Sequence, residues 1–189
     1  MNKSNEIPLK TIIIFYLLMG LVSWILIRIF ISPEPSQFWW GTAFARDHLL
    51  WGAGGALLLM LPIYLYMHFR PRQILQGLKP LLFLCHHPLA VLLTISLLAG
   101  VGEELLFRGF IQQFVGIWWT AIIFLLPHLS FPLMLKQTLD RILLTIFYLV
   151  AGLLLGLLAR EVGLIAAIMA HTIYDFGIFS LIKQKFIAS

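Results

Sequence analysis

From Leu9 onward the sequence is a succession of long apolar runs separated by short breaks that carry proline, tryptophan or a few basic residues. That pattern settles the solvent before it settles the fold. Of the 189 residues, 61 % are hydrophobic and only 11 % are charged, against ~25 % charged in an ordinary soluble domain. A water-exposed surface could not be covered, so lipid has to take its place. With ~20 apolar residues needed for each helical span, the chain has room for about six spans and little else. The expected fold class is all-α, a polytopic transmembrane helical bundle of about six spans, in a single membrane-embedded domain over residues 1–189.

The breaks place the spans. Met1-Asn2-Lys3-Ser4-Asn5-Glu6 leads into an apolar run too long for a signal-peptide core and without a small-residue cleavage pattern, so it reads as the start of a retained first helix. That span is expected from about Leu9 to Ile31, ending where Ser32-Pro33-Glu34-Pro35 supplies two residues that cannot continue a helix. Trp39 and Trp40 suit the headgroup level. A second span, about Leu49 to Phe69, carries Gly52, Gly54 and Gly55, which allow close approach of a neighbour. Pro88 is a natural start for a third span, to about Phe114. The fourth, about Gly116 to Leu135, contains Pro127 and Pro132 and should be kinked or broken. The fifth, about Ile142 to Ala159, carries the packing pair Gly152-x-x-x-Gly156, and the sixth runs from about Val162 to Ile182.

The net charge of +5 does not point to nucleic acid, because the basic residues fall between or beside the apolar runs. With the N-terminus inside, Lys3, Lys10, Arg70, Arg72, Lys79, Lys136, Arg141, Lys183 and Lys185 lie on the inner side, against Arg28, Arg46, Arg108 and Arg160 elsewhere. This excess favours both termini in the cytoplasm. The single cysteine, Cys85, excludes an internal disulfide framework and a cysteine-rich zinc site, and is expected to be a small buried or interfacial residue. His48, His68, His86 and His87 stand at span ends or in a connection and are expected to be interfacial.

An ionisable side chain in hydrocarbon costs at least ~2.5–3.5 kcal/mol on insertion scales, so each one inside a span calls for a reason. They form a short group: Glu103, Glu104 and Arg108 in the third span, His128 in the fourth, His171 and Asp175 in the sixth. Counted at ~1.5 Å per residue from the outer ends of their spans, Glu103, His128 and His171 all fall roughly 14–18 Å from the same surface. Three helices thus bring proton-handling groups to one layer if they pack side by side. Glu104 and Arg108 are four apart with the acid first, the favourable order for a pair on one helix face. Glu103, rotated ~100° away, shares its face with Ala99 and Gly100, which leave room for a water or a substrate backbone. His171 and Asp175 are also four apart, so the carboxylate can orient the imidazole.

The run Gly102-Glu103-Glu104-Leu105-Leu106-Phe107-Arg108-Gly109-Phe110, then Phe124-x-x-x-His128, then His171-x-x-x-Asp175, resembles the CAAX-protease and bacteriocin-processing family of intramembrane endopeptidases. The likeness covers roughly Leu92 to Phe179. It implies hydrolysis of a peptide bond in a cavity among these helices, with Glu103 and His128 activating a water. His171, with the residue at 175, would stabilise the oxyanion, and Glu104 and Arg108 would support the site. A desolvated carboxylate is a workable general base, and an imidazole N–H can stabilise developing negative charge. The third motif of the family often ends in Asn, which can donate to an oxyanion; ionised Asp175 would repel one. Asp175 is therefore either protonated or confined to holding His171, and Pro127 should distort the helix that carries His128.

Zinc on Glu103, His128 and His171 is the alternative chemistry, since two Glu, two His and an Asp offer suitable donors. The sequence has no His-Glu-x-x-His, and a metal-free glutamate mechanism is favoured. Two other classes compete: a non-catalytic bacteriocin-immunity or binding protein on the same scaffold, and a proton-coupled transporter, against which the lack of an internal repeat counts. The expected partners are the bilayer and a membrane-associated or lipidated peptide. Leader removal from small peptides, or processing of a membrane-bound signalling protein, suits what reads as a prokaryotic cytoplasmic-membrane protein.

Overall fold

The computed structural model describes residues 8–31, 34–41 and 43–187. The expected break at Ser32 and Pro33, the Met1–Glu6 stretch and Lys3 lie outside the described residues. Among the described residues all regular structure is helical: α1 Leu9–Phe30, α2 Pro35–Trp40, α3 Ala45–Phe69, α4 Pro71–Gly77, a 3-10 turn Lys79–His86, α5 Leu89–Glu104, a π-helical segment Leu105–Ile111, α6 Gln112–His128, α7 Ser130–Leu133, α8 Thr138–Glu161 and α9 Leu164–Phe186. Proline marks several starts, as its fixed φ suits a first turn: Pro8 and Pro88 precede α1 and α5, and Pro71 opens α4.

Among the described residues, five helices are long and apolar enough to cross a membrane: α1, α3, α8, α9 and the continuous run Leu89–His128 formed by α5, the π segment and α6. That run is not straight. Gly116 has φ 75° and ψ 177°, a conformation open essentially to glycine, and the chain doubles back there. The rings of Phe107 and Phe124 lie 5.1 Å apart, and Glu103 comes within 3.8 Å of His128; a straight helix would hold Glu103 and His128 roughly 37 Å apart. The run therefore supplies two antiparallel limbs, which correspond to the third and fourth expected spans. The fourth is shorter than expected: α6 stops at His128, and a single turn, α7, follows before α8. Pro127 and Pro132 each lack the N–H that would continue the ladder, so the expectation of a broken span holds. The second, fifth and sixth spans run further than expected, to Ala45–Phe69, Thr138–Glu161 and Leu164–Phe186.

Burial is arranged for a lipid solvent. Leu17, Leu18, Leu57, Leu58, Trp118 and Ile146 are largely exposed, whereas Ala166, Ala167 and Ala170 of α9 are sealed. Small residues let backbones approach where apolar side chains gain nothing by leaving lipid. α9 is accordingly central, packed on α3, α5 and α8, while α6 lies along α8 and α1 lies along α5 and the π segment. Gly52 serves the α3–α9 contact, where a Cβ would sit 2.8 Å from Met169 Cβ, and Gly55 seats α3 against both α8 and α9, where a Cβ would sit 2.7 Å from Leu158 Cδ1 and 3.2 Å from Ala170 Cβ.

Gly152 and Gly156 pack within the chain. Their carbonyls accept from Arg108 Nη2 and Gln112 Nε2, both at 3.0 Å. One end of the bundle is tied by Arg70 Nη1 donating to Gln137 Oε1 at 3.0 Å and Lys183 Nζ donating to the Cys85 carbonyl at 3.1 Å. These bonds gather the end of α3, the start of α8, the 3-10 turn and the end of α9. Cys85 is fully buried there. At the other end His48 departs from expectation. It is 1 % exposed, with Nε2 placed 3.0 Å from the Trp40 carbonyl, because Gly163 at φ 137° brings the α8–α9 connection against it.

Candidate active site

The bundle encloses an apolar cavity of about 630 Å³ whose polar wall is Glu103, His128, His171 and Asp175. Each side chain arrives from a different place in the fold. Glu103 and Glu104 end α5, where the π segment begins; His128 ends α6; His171 and Asp175 sit one turn apart on α9. The common depth expected of Glu103, His128 and His171 is met by contact. Glu103 Oε2 lies 3.8 Å from His128 Nε2 and 4.0 Å from His171 Nε2. These separations exceed a direct hydrogen bond, yet they would let a water ~2.8 Å from both partners bridge Glu103 and either imidazole. Glu103 Oε2 itself is buried without a hydrogen-bond partner.

The two adjacent glutamates have different surroundings. Glu103 is 14 % exposed and borders the cavity; Glu104 is sealed, at 0 %. Glu104 Oε1 accepts from Arg108 Nη1 at 2.9 Å and from His171 Nδ1 at 2.7 Å. The guanidinium is held in turn by the Gly152 carbonyl and lies 4.4 Å above the Phe124 ring. The expected pairing of Glu104 with Arg108 is therefore present. The residue that bonds His171 is Glu104 rather than Asp175, whose Oδ2 is 3.6 Å from Nε2.

Hydrogen-bond chemistry sets the tautomers. The Phe124 carbonyl lies 2.7 Å from His128 Nδ1 and can only accept, so Nδ1 carries hydrogen and the Nε2 lone pair of the neutral ring faces Glu103. That ring lies tilted against Phe124 and Tyr148, with centroids 4.3 and 4.9 Å away. Pro127 leaves the imidazole at the site, on the last residue of its helix. A water donating one hydrogen to Glu103 and one to His128 Nε2 would keep its lone pairs free.

Residues 85–177 match the family model described as Type II CAAX prenyl endopeptidase Rce1-like, and the match spans every residue of the polar wall. The site-bearing part of the chain is thus similar to this family. No curated protein and no solved structure matched the chain. This similarity to the Rce1-like CAAX endopeptidases supports intramembrane protease activity at the level of the family. It also agrees with the multi-pass helical architecture, whose five long apolar helices need a bilayer around them.

For an Rce1-like site the alternative of zinc can be tested on the donors. A tetrahedral ion with ~2.0–2.1 Å bonds needs its donors about 3.4 Å apart, and Glu103 is set wider than that from both imidazoles. Among the described residues no group of three or more His, Cys, Asp or Glu side chains is gathered closely enough to hold a metal ion.

Two features of the site went unread in the sequence. Tyr16 of α1 and Tyr148 of α8 both border the cavity, outside any motif. Tyr16 could have been found as a polar group on the same helix face as Gly20 and Ser23. Gly100 serves a purpose other than making room for water: a Cβ there would collide with Thr172 Oγ1, so the missing side chain lets α5 and α9 touch. Ala99 does border the cavity beside Glu103.

Proposed function

We propose that this chain is a metal-free, glutamate-type intramembrane endopeptidase acting on membrane-associated or lipidated peptides. The observation that carries the reading is the convergence of Glu103, His128 and His171, from three helices, on the polar end of an otherwise apolar cavity. Water held by Glu103 and His128 Nε2 attacks the scissile carbonyl as its proton passes to one of them. His171, with Nδ1–H given to Glu104, turns Nε2–H toward the oxyanion. Collapse of the tetrahedral intermediate expels the amine, which takes up the proton held by Glu103 or His128. Asp175 stands beside Nε2 as the counter-charge of the imidazolium. The apolar lining suits a lipid-like or hydrophobic substrate segment, and leader removal from a small membrane peptide is an activity class in keeping with it.

The test is cleavage of a fluorogenic membrane-peptide library in liposomes by wild type, Glu103→Gln and His128→Ala, at matched insertion. Wild type should cleave, and each variant should lose at least about a hundred-fold in kcat. Equal cleavage by all three would move the catalytic centre elsewhere. Activity should also survive purification in strong chelator, and complete loss restored by added zinc would replace the glutamate mechanism with a metal-dependent one.

A further inference from the structure

The family match begins at residue 85, yet the cavity wall includes Thr11, Ile12, Phe15, Tyr16 and Met19 of α1. One face of α1 carries Tyr16, Gly20, Ser23 and Ile27, spaced so that all four point the same way. That face is seated on glycines of the motif-bearing run. A Cβ on Gly102 would lie 3.1 Å from the Tyr16 carbonyl and 2.9 Å from Met19 Cε; one on Gly109 would lie 2.9 Å from Ile27 Cδ1; one on Gly20 would lie 3.8 Å from Gly102 Cα. Glycines at 102 and 109 thus provide two seats one heptad apart. Ser23, sealed in this contact, returns its hydroxyl to the Met19 carbonyl at 2.7 Å. The position of Tyr16 is consequently fixed by the residue immediately before Glu103.

From that seat Tyr16 borders the same cavity as Glu103, and a phenolic O–H is a donor where a carboxylate can only accept. Glu103 stands 3.8 and 4.0 Å from the two imidazoles, too far for direct bonds. We propose that Tyr16 is a positioning residue for Glu103, its phenolic O–H anchoring the carboxyl so that the other lobe stays turned toward the water between Glu103 and His128. α1 is then part of the catalytic apparatus even though it carries none of the three motifs. This assignment rests on Glu103 being the base.

Tyr16→Phe keeps the ring and removes only the hydroxyl, so packing on Gly102 is retained. Two measurements test the assignment together. In isotope-edited infrared spectra of glutamate-labelled protein, the Glu103 carboxyl band is the one lost in Glu103→Gln, and it should shift in Tyr16→Phe. In cleavage assays kcat should fall about ten- to hundred-fold with KM within about two-fold, the pattern of a group that acts only on the chemical step. An unmoved band overturns the Tyr16–Glu103 bond whether or not the protein cleaves. A shifted band with unchanged kcat overturns the positioning role. Absence of cleavage by wild type overturns the protease reading instead, and the band still reports on the bond.

Discussion

Arg108 holds its guanidinium where neither water nor lipid reaches it, and the neighbours that make this tolerable also build the site. Nη1 meets Glu104 Oε1 at 2.9 Å, Nη2 meets the Gly152 carbonyl at 3.0 Å, and the Phe124 ring lies beneath. Glu104 spends the same oxygen on His171, so the charge that compensates Arg108 also fixes the imidazole. Removing one partner of a fully buried pair leaves the other charge stranded, which costs ~3–5 kcal/mol. Arg108→Met should lose stability on that scale, measured by reversible unfolding in mixed micelles, and cleavage should fall with it. The double variant Glu104→Gln/Arg108→Met should be less destabilised than Arg108→Met alone, because no charge is left unpaired. Simple addition of the two single effects would mean that Arg108 acts through packing on Phe124 and not through charge.

Among the helices, the informative element is the run from Leu89 to His128, because its reversal turns two motifs that are distant in sequence into neighbours. Gly116 makes the reversal. A Cβ there meets nothing within 4 Å, and the same is true of Gly54 in the middle of α3. Their backbones differ, left-handed at Gly116 and helical at Gly54. Gly116→Ala should therefore destabilise by ~1–3 kcal/mol despite the open space, whereas Gly54→Ala should be neutral or stabilise by up to about 1 kcal/mol. Thermal unfolding of the two variants side by side checks this; equal effects would show that the reversal does not depend on the Gly116 backbone. The same run shows what the sequence discloses. Apolar length gave the spans, and unexplained charge gave Glu103, His128 and His171, because both are properties of one helix at a time. Which of Glu104 or Asp175 bonds His171 depends on how α9 is rotated against α5, a quantity set by contacts such as Gly100 on Thr172. An i,i+4 spacing within α9 carries no record of that rotation. Tyr16 was hidden for the same reason, since its partner belongs to another helix.

At the scale of the molecule, charge and shape point the same way. The bundle end where Arg70, Gln137, Cys85 and Lys183 are joined also carries Lys79 in the 3-10 turn and Lys136 before α8. The cavity extends toward that end, bordered by Thr11 and Ile12 at the start of α1 and by Leu78, Pro80 and Leu81 beside the 3-10 turn. If the cationic end faces the cytoplasm, as the basic-residue bias of inner loops requires, substrate reaches Glu103 from the cytoplasmic side. The opposite end holds Arg160, exposed and paired with Glu161 at 2.6 Å. In a Cys85→Ser background, a membrane-impermeant maleimide applied to intact cells should label Arg160→Cys and leave Lys79→Cys and Lys136→Cys unreacted until the cells are opened. The reverse pattern would turn the protein over in the membrane. The cavity mouth would then face outward, and a substrate delivered from the cytoplasm could reach His128 and Glu103 only by first crossing the bilayer, which would favour peptides already exported.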